Sequence, residues 1–485
     1  MPKQINKFVS RSDKSELKIK FGTDGWRGII DKDFTEENVK LAVRAIADYL
    51  TQTNKKKIII GYDVRKKADV FARLAAIIMA ECNIKVMLVN KFCPTPATGW
   101  SILSKKADGA IMFTASHNPA EFLGLKYMTE EAMVAPNEIT NQFIENLKNL
   151  TAGGPMALGK EDFETFDPKP SYFEKLKKLV DIEKIKKPGL KILINPMHGA
   201  GIGYLSELLS GGNLKLDAIN NDRDPNFGGG SPEPIVEKNV LDAILKVKKE
   251  HFDVCLSSDG DADRIGLIDE KGKMLTSLEA FLLLAYYLVV VLKKRGPIVN
   301  TISNTVMVEN LCKKYNLDYH EVKVGFKYVG EKMKETGAIF GGEESGGSAI
   351  SDYMYVRDAQ LMNLFILDLM IEFKKPLSEI LALAKKEAGG GYEFRREDVH
   401  FDYETYEEVK TKKTAELIQN PPAEILGKKV VKTRTDDGVK FYFQDGSWML
   451  IRFSGTEPVL RLYAEAKTMK EVDAFINYAK EFIKR

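Results

Sequence analysis

Cysteine is scarce in this chain. Its 485 residues include 4 cysteines, Cys82, Cys93, Cys255 and Cys312, widely scattered and without a CxxC pair. That excludes a disulfide-stapled scaffold and fits reduced thiols in a cytoplasmic protein. Long hydrophobic runs are also lacking. The most apolar stretch, Ala280 to Leu292 (AFLLLAYYLVVVL), falls short of the ~20 residues a membrane span needs, so a buried core helix is expected there. The opening residues, MPKQINKFVSRSDKSELK, have no apolar centre of a secretory leader, and none is expected. No charge of one sign dominates. The formal net charge is +3 and the sequence pI about 8.3, which gives no basic field for nucleic acid. Lys55-Lys56-Lys57 runs straight into IIIGYD and reads as the solvated start of a strand. GxxxxGK[ST] is absent, and GAGIG (199–203) lacks the GxGxxG spacing, so nucleotide binding has little support.

What is present is ample apolar residue content, 44%, in a chain long enough for about three or four domains. Thr35 before Glu36 and Glu37 signals a helix start, and Val39, Val43, Ile46 and Leu50 recur at helical spacing. KIIIGYD (57–63), IKVMLVN (84–90) and GAIMF (109–113) read as strands, with a helix over 69–82. The alternation restarts at LKILINP (190–196) and FDVCLSS (252–258), and again at GPIVNTIS (296–303) and GAIFGGEES (337–345). TAGGPMALG (151–159) and AGGGYE (388–393) read as linkers. The expectation is three tandem α/β domains with mixed sheets, helices on both faces, and structural rather than sequence repetition. VKFYF, WMLIRF and VLRLYAEA, then a helix capped by Thr468, indicate a smaller α+β domain at the C-terminal end. The expected domains are 1–160, 161–272, 273–388 and 389–485.

Four loops carry chemistry-bearing residues. In FTASHNP, Ser116 follows a strand end, where open α/β sheets bind ligands. GxSxG is missing around it, so an esterase reading is poor, and a serine or asparagine capping a turn before Pro119 is the ordinary alternative. In SSDGDADRIG, Asp259, Asp261 and Asp263 repel one another, and a chain tolerates that best around a cation. Asp259, Asp261, Asp263 and Glu270 match positions 1, 3, 5 and 12 of an EF-hand. Arg264 stands where that loop needs glycine and a strand precedes it, so the EF-hand is rejected in favour of a hard divalent cation such as Mg²⁺. In GGEESGG (341–347), Glu343 and Ser345 alternate outward and suit the vicinal hydroxyls of a sugar, although a glycine-rich turn with a solvated acid pair fits equally. In RFSGTEPVLR (452–461), Arg452, Ser454, Gly455, Thr456 and Arg461 suit a phosphate dianion better than a plain hairpin.

Together and in this order, TASHNP, DGDADR, GEESG and RFSGTEP resemble the signature loops of the α-D-phosphohexomutase superfamily, the phosphoglucomutases and phosphomannomutases. FGTDGWRG (21–28) and DPNFGGGSPEP (224–234) extend the resemblance over nearly the full length. The resemblance implies a heart-shaped four-domain architecture whose last domain is like half of a TATA-binding protein. It implies that Ser116 carries a phosphoryl group, that Asp259, Asp261, Asp263 and the phosphorylated Ser116 hold Mg²⁺, and that a hexose 1,6-bisphosphate serves as intermediate. Ser116, Lys126, Arg27, His117 and Lys327 fall in the catalytic set, with Lys126 a proton-transfer group and His117 a shaper of the serine loop. Glu343 and Ser345 would hold the sugar. Arg264 would add charge, and Arg452, Ser454, Gly455, Thr456 and Arg461 would hold the second phosphate. Two departures stand out. The family's Asn-Gly-x-Lys is Leu123-Gly124-Leu125-Lys126 here, and the histidine some relatives carry after GExSG is replaced by Gly347. KVGFKYVG (323–330) looks like the phosphoglucomutase loop, which favours glucose phosphates over mannose or glucosamine phosphates, and the alternative of a non-catalytic sugar-phosphate-binding relative is disfavoured because all four loops keep their polar residues. The expected partners are hexose phosphates, without nucleic acid or membrane, for a monomer or homodimer.

Overall fold

A computed structural model describes residues 19–22, 24–150, 162–455 and 458–484 of the chain. Thr35 caps the helix Glu36–Gln52, its hydroxyl accepting the Asn38 amide at 3.2 Å, and Val39, Val43, Ile46 and Leu50 are buried as their spacing requires. In the first sheet Lys57–Tyr62 pairs in parallel with Lys85–Val89 and Gly109–Phe113, and Phe122–Thr129 then runs back antiparallel to Gly109–Phe113. The second sheet has Lys191–Asn195 parallel to Lys215–Ala218 and Val254–Ser258, with Ile265–Asp269 antiparallel to Val254–Ser258. In the third, Ile298–Thr301 is parallel to Tyr319–Val322 and Phe340–Gly342, and Ser348–Ile350 is antiparallel to Phe340–Gly342. The same device occurs in each: a parallel centre, then one strand that doubles back. The turn at that reversal is FTASHNP in the first sheet, SDGDADR in the second and EESGG in the third.

The fourth sheet is antiparallel, in the order Glu393–His400, Val459–Ala466, Trp448–Phe453, Val439–Phe443, Lys428–Arg434, Glu424–Ile425. Val459–Ala466, Trp448–Phe453 and Val439–Phe443, adjacent in this sheet, are those the sequence predicts, and the loop after Phe453 again joins antiparallel neighbours. The sequence does not predict the other three: Glu393–His400 and Lys428–Arg434 are charged and half-exposed, and the edge strand Glu424–Ile425 has two residues. Gly389 and Gly390, both at positive φ, precede the strand Glu393–His400, while Ala388 and Tyr392 of the expected linker 388–393 are buried in the core. The linker expected at 151–159 lies outside the described residues.

The apolar run 280–292 is a core helix over Ser277–Tyr286, with Thr276 and Glu279 forming a capping box, and it continues as a π-helical turn over Tyr287–Val291. It sits in an apolar cluster that takes Ile59 and Met112 from the first sheet, Ile192 and Leu256 from the second, and Phe340 and Phe365 from the third unit. At about 1.5–3 kcal/mol for each large side chain buried, this shared core locks the three units together. Among the described residues no helix is long and apolar enough to cross a membrane.

Candidate active site

The serine loop owes its shape to a side chain the sequence reading passed over. Arg65, fully buried two residues beyond a strand-end aspartate, donates to the carbonyls of Ser116 (2.7 Å), Asn118 (2.6 Å), Pro119 (2.7 Å) and Phe122 (3.0 Å). Asp63 holds its Nε at 3.2 Å. Burial pushes the Asp63 carboxyl up to about 6, against the pull of Arg65. The clamp bends the loop so that Ser116 sits at φ +53°, a conformation costing an L-residue about 1–2 kcal/mol. The bend aims Ser116 Oγ at the aspartate loop, where it donates to Asp259 Oδ2 at 2.7 Å. Gly260 permits this approach, since a Cβ there would lie 2.5 Å from the Ser116 carbonyl.

Asp259, Asp261 and Asp263 are buried and offer one carboxylate oxygen each within 4.8 Å of one another. Burial and the two neighbouring carboxylates hold the Asp259 carboxyl well above the usual range. Burial also opposes charge on Asp261, but Lys126 and the Thr95 hydroxyl outweigh it and hold this carboxyl below the usual range. Lys126 Nζ lies 2.8 Å from Asp261, 3.2 Å from Asp263 and 3.3 Å from Asp24. Despite burial, those acids keep its ammonium above the ordinary lysine range. Asp261 Oδ1 and Asp263 Oδ1 are buried with no hydrogen-bond partner among the described residues. Leaving two carboxylate oxygens unsatisfied in a buried acidic cluster is costly, and an all-oxygen donor set of this kind fits a hard divalent cation.

Arg357 ties the loops together and was also missed. It donates to Asp263 Oδ2 from Nη2 (2.6 Å) and Nε (3.0 Å), to Glu343 Oε1 (2.9 Å) and to Asp24 Oδ2 (3.1 Å). No motif surrounds it in YMYVRDAQ, and only the meeting of three units gives it partners. Next to it Asp358 caps the helix Ala359–Phe373 and accepts the Tyr172 hydroxyl at 2.8 Å. Burial pushes the Asp358 carboxyl from 3.8 up to about 6. Its folded form therefore binds a proton more readily than its unfolded form, and the stability it lends is present below about pH 4 and lost as pH rises through about 6. Chemical denaturation of wild type and Asp358→Asn across that window should show the wild type losing stability relative to the variant.

The other expected residues are placed as follows. Arg27 donates to Asn118 Oδ1 and, at 3.0 Å, to Asp24. The His117 ring is held well below the ordinary histidine range by burial and by Arg264, Arg27 and Lys126, so it is neutral, and its Nδ1 has no partner among the described residues. Arg264 is buried beside Asp263, its Nε 3.7 Å from Oδ1, and its backbone bridges to Gly347. Glu343 accepts the Ser345 hydroxyl at 2.5 Å, whereas Glu344 turns the other way, to Ser303 (2.6 Å) and the Tyr463 hydroxyl (3.4 Å) of the fourth sheet. Lys327 is buried with Nζ 2.5 Å from Asn137 Oδ1. Arg452 and Arg461 face each other across neighbouring strands, and Ser454 is buried at the turn between them. Gly455 lies at the exposed tip. Thr456 lies outside the described residues. The first three loops thus meet in one network, and the strand Val459–Ala466 of the fourth sheet reaches the third loop through Tyr463 and Glu344.

Family sequence profiles match in the same order: phosphoglucomutase/phosphomannomutase α/β/α domain I over residues 18–153, domain II over 170–272, domain III over 279–386 and the C-terminal domain over 405–480. The chain is 30% identical to a phosphoglucomutase/phosphomannomutase of Thermococcus kodakarensis, covering 94% of this chain and 96% of that one. It is 29% identical to a phosphoglucosamine/phosphogalactosamine mutase of Sulfurisphaera tokodaii, over 96% and 98% of the two chains. Among solved structures, a phosphoglucomutase/phosphomannomutase family protein of Burkholderia thailandensis superposes with a TM-score of 0.79 at 20% identity, over 96% of this chain and 97% of that one. A resemblance first carried by four short loops thus extends over the whole chain and its fold: the protein belongs to the phosphoglucomutase/phosphomannomutase family and is an intramolecular phosphotransferase.

Proposed function

We propose that the protein interconverts hexose 1-phosphate and hexose 6-phosphate, with glucose phosphates as the preferred pair, through a phosphorylated Ser116 and a bound hexose 1,6-bisphosphate. The observation that carries this reading is the contact of Ser116 Oγ with Asp259 at the edge of a carboxylate cluster in which two oxygens accept no hydrogen bond among the described residues. Asp259, Asp261 and Asp263 would hold Mg²⁺, which when bound supplies positive charge to the group in transfer. Lys126, beside the same carboxylates, would hold or hand over a proton at the attacking sugar hydroxyl. Arg357 keeps Glu343 turned toward this cluster, so a sugar held by Glu343 and Ser345 would lie against Ser116. The second phosphate would rest on Arg452, Ser454, Gly455, Thr456 and Arg461. An end-over-end turn of the bisphosphate would then offer either phosphate to the serine.

A second reading, glucosamine phosphate as the preferred sugar, is favoured by the name of the Sulfurisphaera tokodaii relative. Glu344 is committed to Ser303 and Tyr463, so Glu343 is the loop's one acid available to a sugar, and hydroxyls satisfy it without an ammonium. Coupled assays with glucose, mannose and glucosamine 1-phosphates decide between the two. Turnover should be fastest with glucose 1-phosphate, should fall by about a hundredfold or more on chelation, and should return with Mg²⁺. Absence of turnover on all three sugars would reject the proposal.

A further inference from the structure

We propose that Asp437 is a positioning residue that sets the phosphate-gripping Arg452 and fastens it to the backbone of segment 323–330. The inference rests on the reading above, in which Arg452 meets the substrate's second phosphate. Asp437 lies in the turn between Lys428–Arg434 and Val439–Phe443, in neither the serine loop, the aspartate loop, the sugar loop nor RFSGTEP. Its two carboxylate oxygens do different things. Oδ1 accepts Arg452 Nε at 2.8 Å, and Oδ2 accepts the Val324 amide at 2.7 Å. The first bond fixes one edge of the guanidinium and leaves Nη1 buried with no partner among the described residues. A planar fork held along one edge presents its remaining donors in a fixed direction, which is what a phosphate dianion requires.

The second bond joins this arginine to the segment that begins the helix Phe326–Thr336 and carries Lys327. The turn bearing Asp437 is itself anchored. Glu321, on the strand just before Val324, takes Lys440 Nζ at 2.6 Å, Arg434 Nη1 at 3.2 Å and the Tyr442 hydroxyl. Gly438, at φ +81°, lets the turn lie on Arg452, where a Cβ would come 2.9 Å from the arginine's own Cβ. The carboxylate is therefore set by packing from both sides. Seating a phosphate on Arg452 then bears directly on the position of the Lys327 segment, a coupling between the fourth and third units.

Two substitutions separate the two bonds. Asp437→Asn keeps an oxygen for the Val324 amide but loses the charge that holds Arg452, whereas Asp437→Ala loses both. Inorganic phosphate binding, read by titration calorimetry without turnover, should weaken about tenfold or more in each, the range expected for a lost charge-assisted hydrogen bond. In steady-state assays the asparagine variant's loss should fall mainly on KM and the alanine variant's on KM and kcat together. In an Arg452→Ala background neither substitution should weaken phosphate binding further. Wild-type phosphate affinity in both variants, additive losses in the Arg452→Ala background, or a wild type that does not bind phosphate would each overturn the inference. A wild type that binds phosphate, loses that binding on Asp437→Asn and turns over no hexose phosphate would instead reject the proposed function alone.

Discussion

Ser116→Ala is expected to lower hexose 1-phosphate turnover by about four orders of magnitude or more, the scale on which enzymes lose rate with a covalent nucleophile. The hydroxyl lies 2.7 Å from Asp259 Oδ2, and no other described side chain combines a hydroxyl with that contact. Alanine would keep the backbone held by Arg65, whose bonds run to carbonyls, so the loop should remain bent and the protein folded. Intact mass provides an independent readout. Wild type taken from the cell should carry a phosphoryl group that a hexose phosphate removes, and the variant should carry none. Retention of more than about a tenth of wild-type activity would remove Ser116 from the nucleophile's role.

Arg65→Ala should be the most damaging substitution away from the reacting groups. It strips a donor from four carbonyls and leaves the Asp63 carboxyl buried without its partner. Breaking a buried pair in this way costs about 3–5 kcal/mol, seen as a large fall in the denaturation midpoint. Released from its clamp, Ser116 would relax from positive φ, and a misplacement of about 1 Å at a reacting atom costs about a hundredfold in rate. Arg65→Lys should restore little, because an ammonium lacks the planar fork that reaches several carbonyls at once. A lysine variant with wild-type kcat would show that the clamp does not set the serine.

Those two residues differ in how readable they were. Ser116 stands in a run of unusual composition, and three companion loops follow it in the order of the family's signature loops. Arg65 is a lone arginine in GYDVRKK, with a weak signal at most: a strand followed by Asp-x-Arg. Arg357 carries no local signal, since Asp24 and Asp263 come from distant parts of the chain and Glu343 from across an intervening strand. Loops that touch a ligand through several residues in a row leave a compact imprint in sequence. Residues that only brace those loops contact them across units, and the imprint is spread over the chain. The strands show the same division. Lys57–Tyr62 and Trp448–Phe453 are apolar because both faces are largely covered. Glu393–His400 is recognisable as a strand only from its pairing with Val459–Ala466, as its side chains are mostly exposed and charged. The pairing of Glu344 with Tyr463 was hidden for a different reason: adjacent acids on a turn look equivalent until the backbone assigns each a direction.

Every loop of the site occupies the bend where a strand reverses against its antiparallel neighbour, one bend in each of four sheets. Ownership of the chemistry is therefore divided. No single sheet encloses a substrate, and each bend can vary in sequence without disturbing the ladder that supports it. On the proposed reading, a chain built this way could change its choice of sugar at one hairpin while the anion grip, the cation cradle and the nucleophile of the other three stayed as they were.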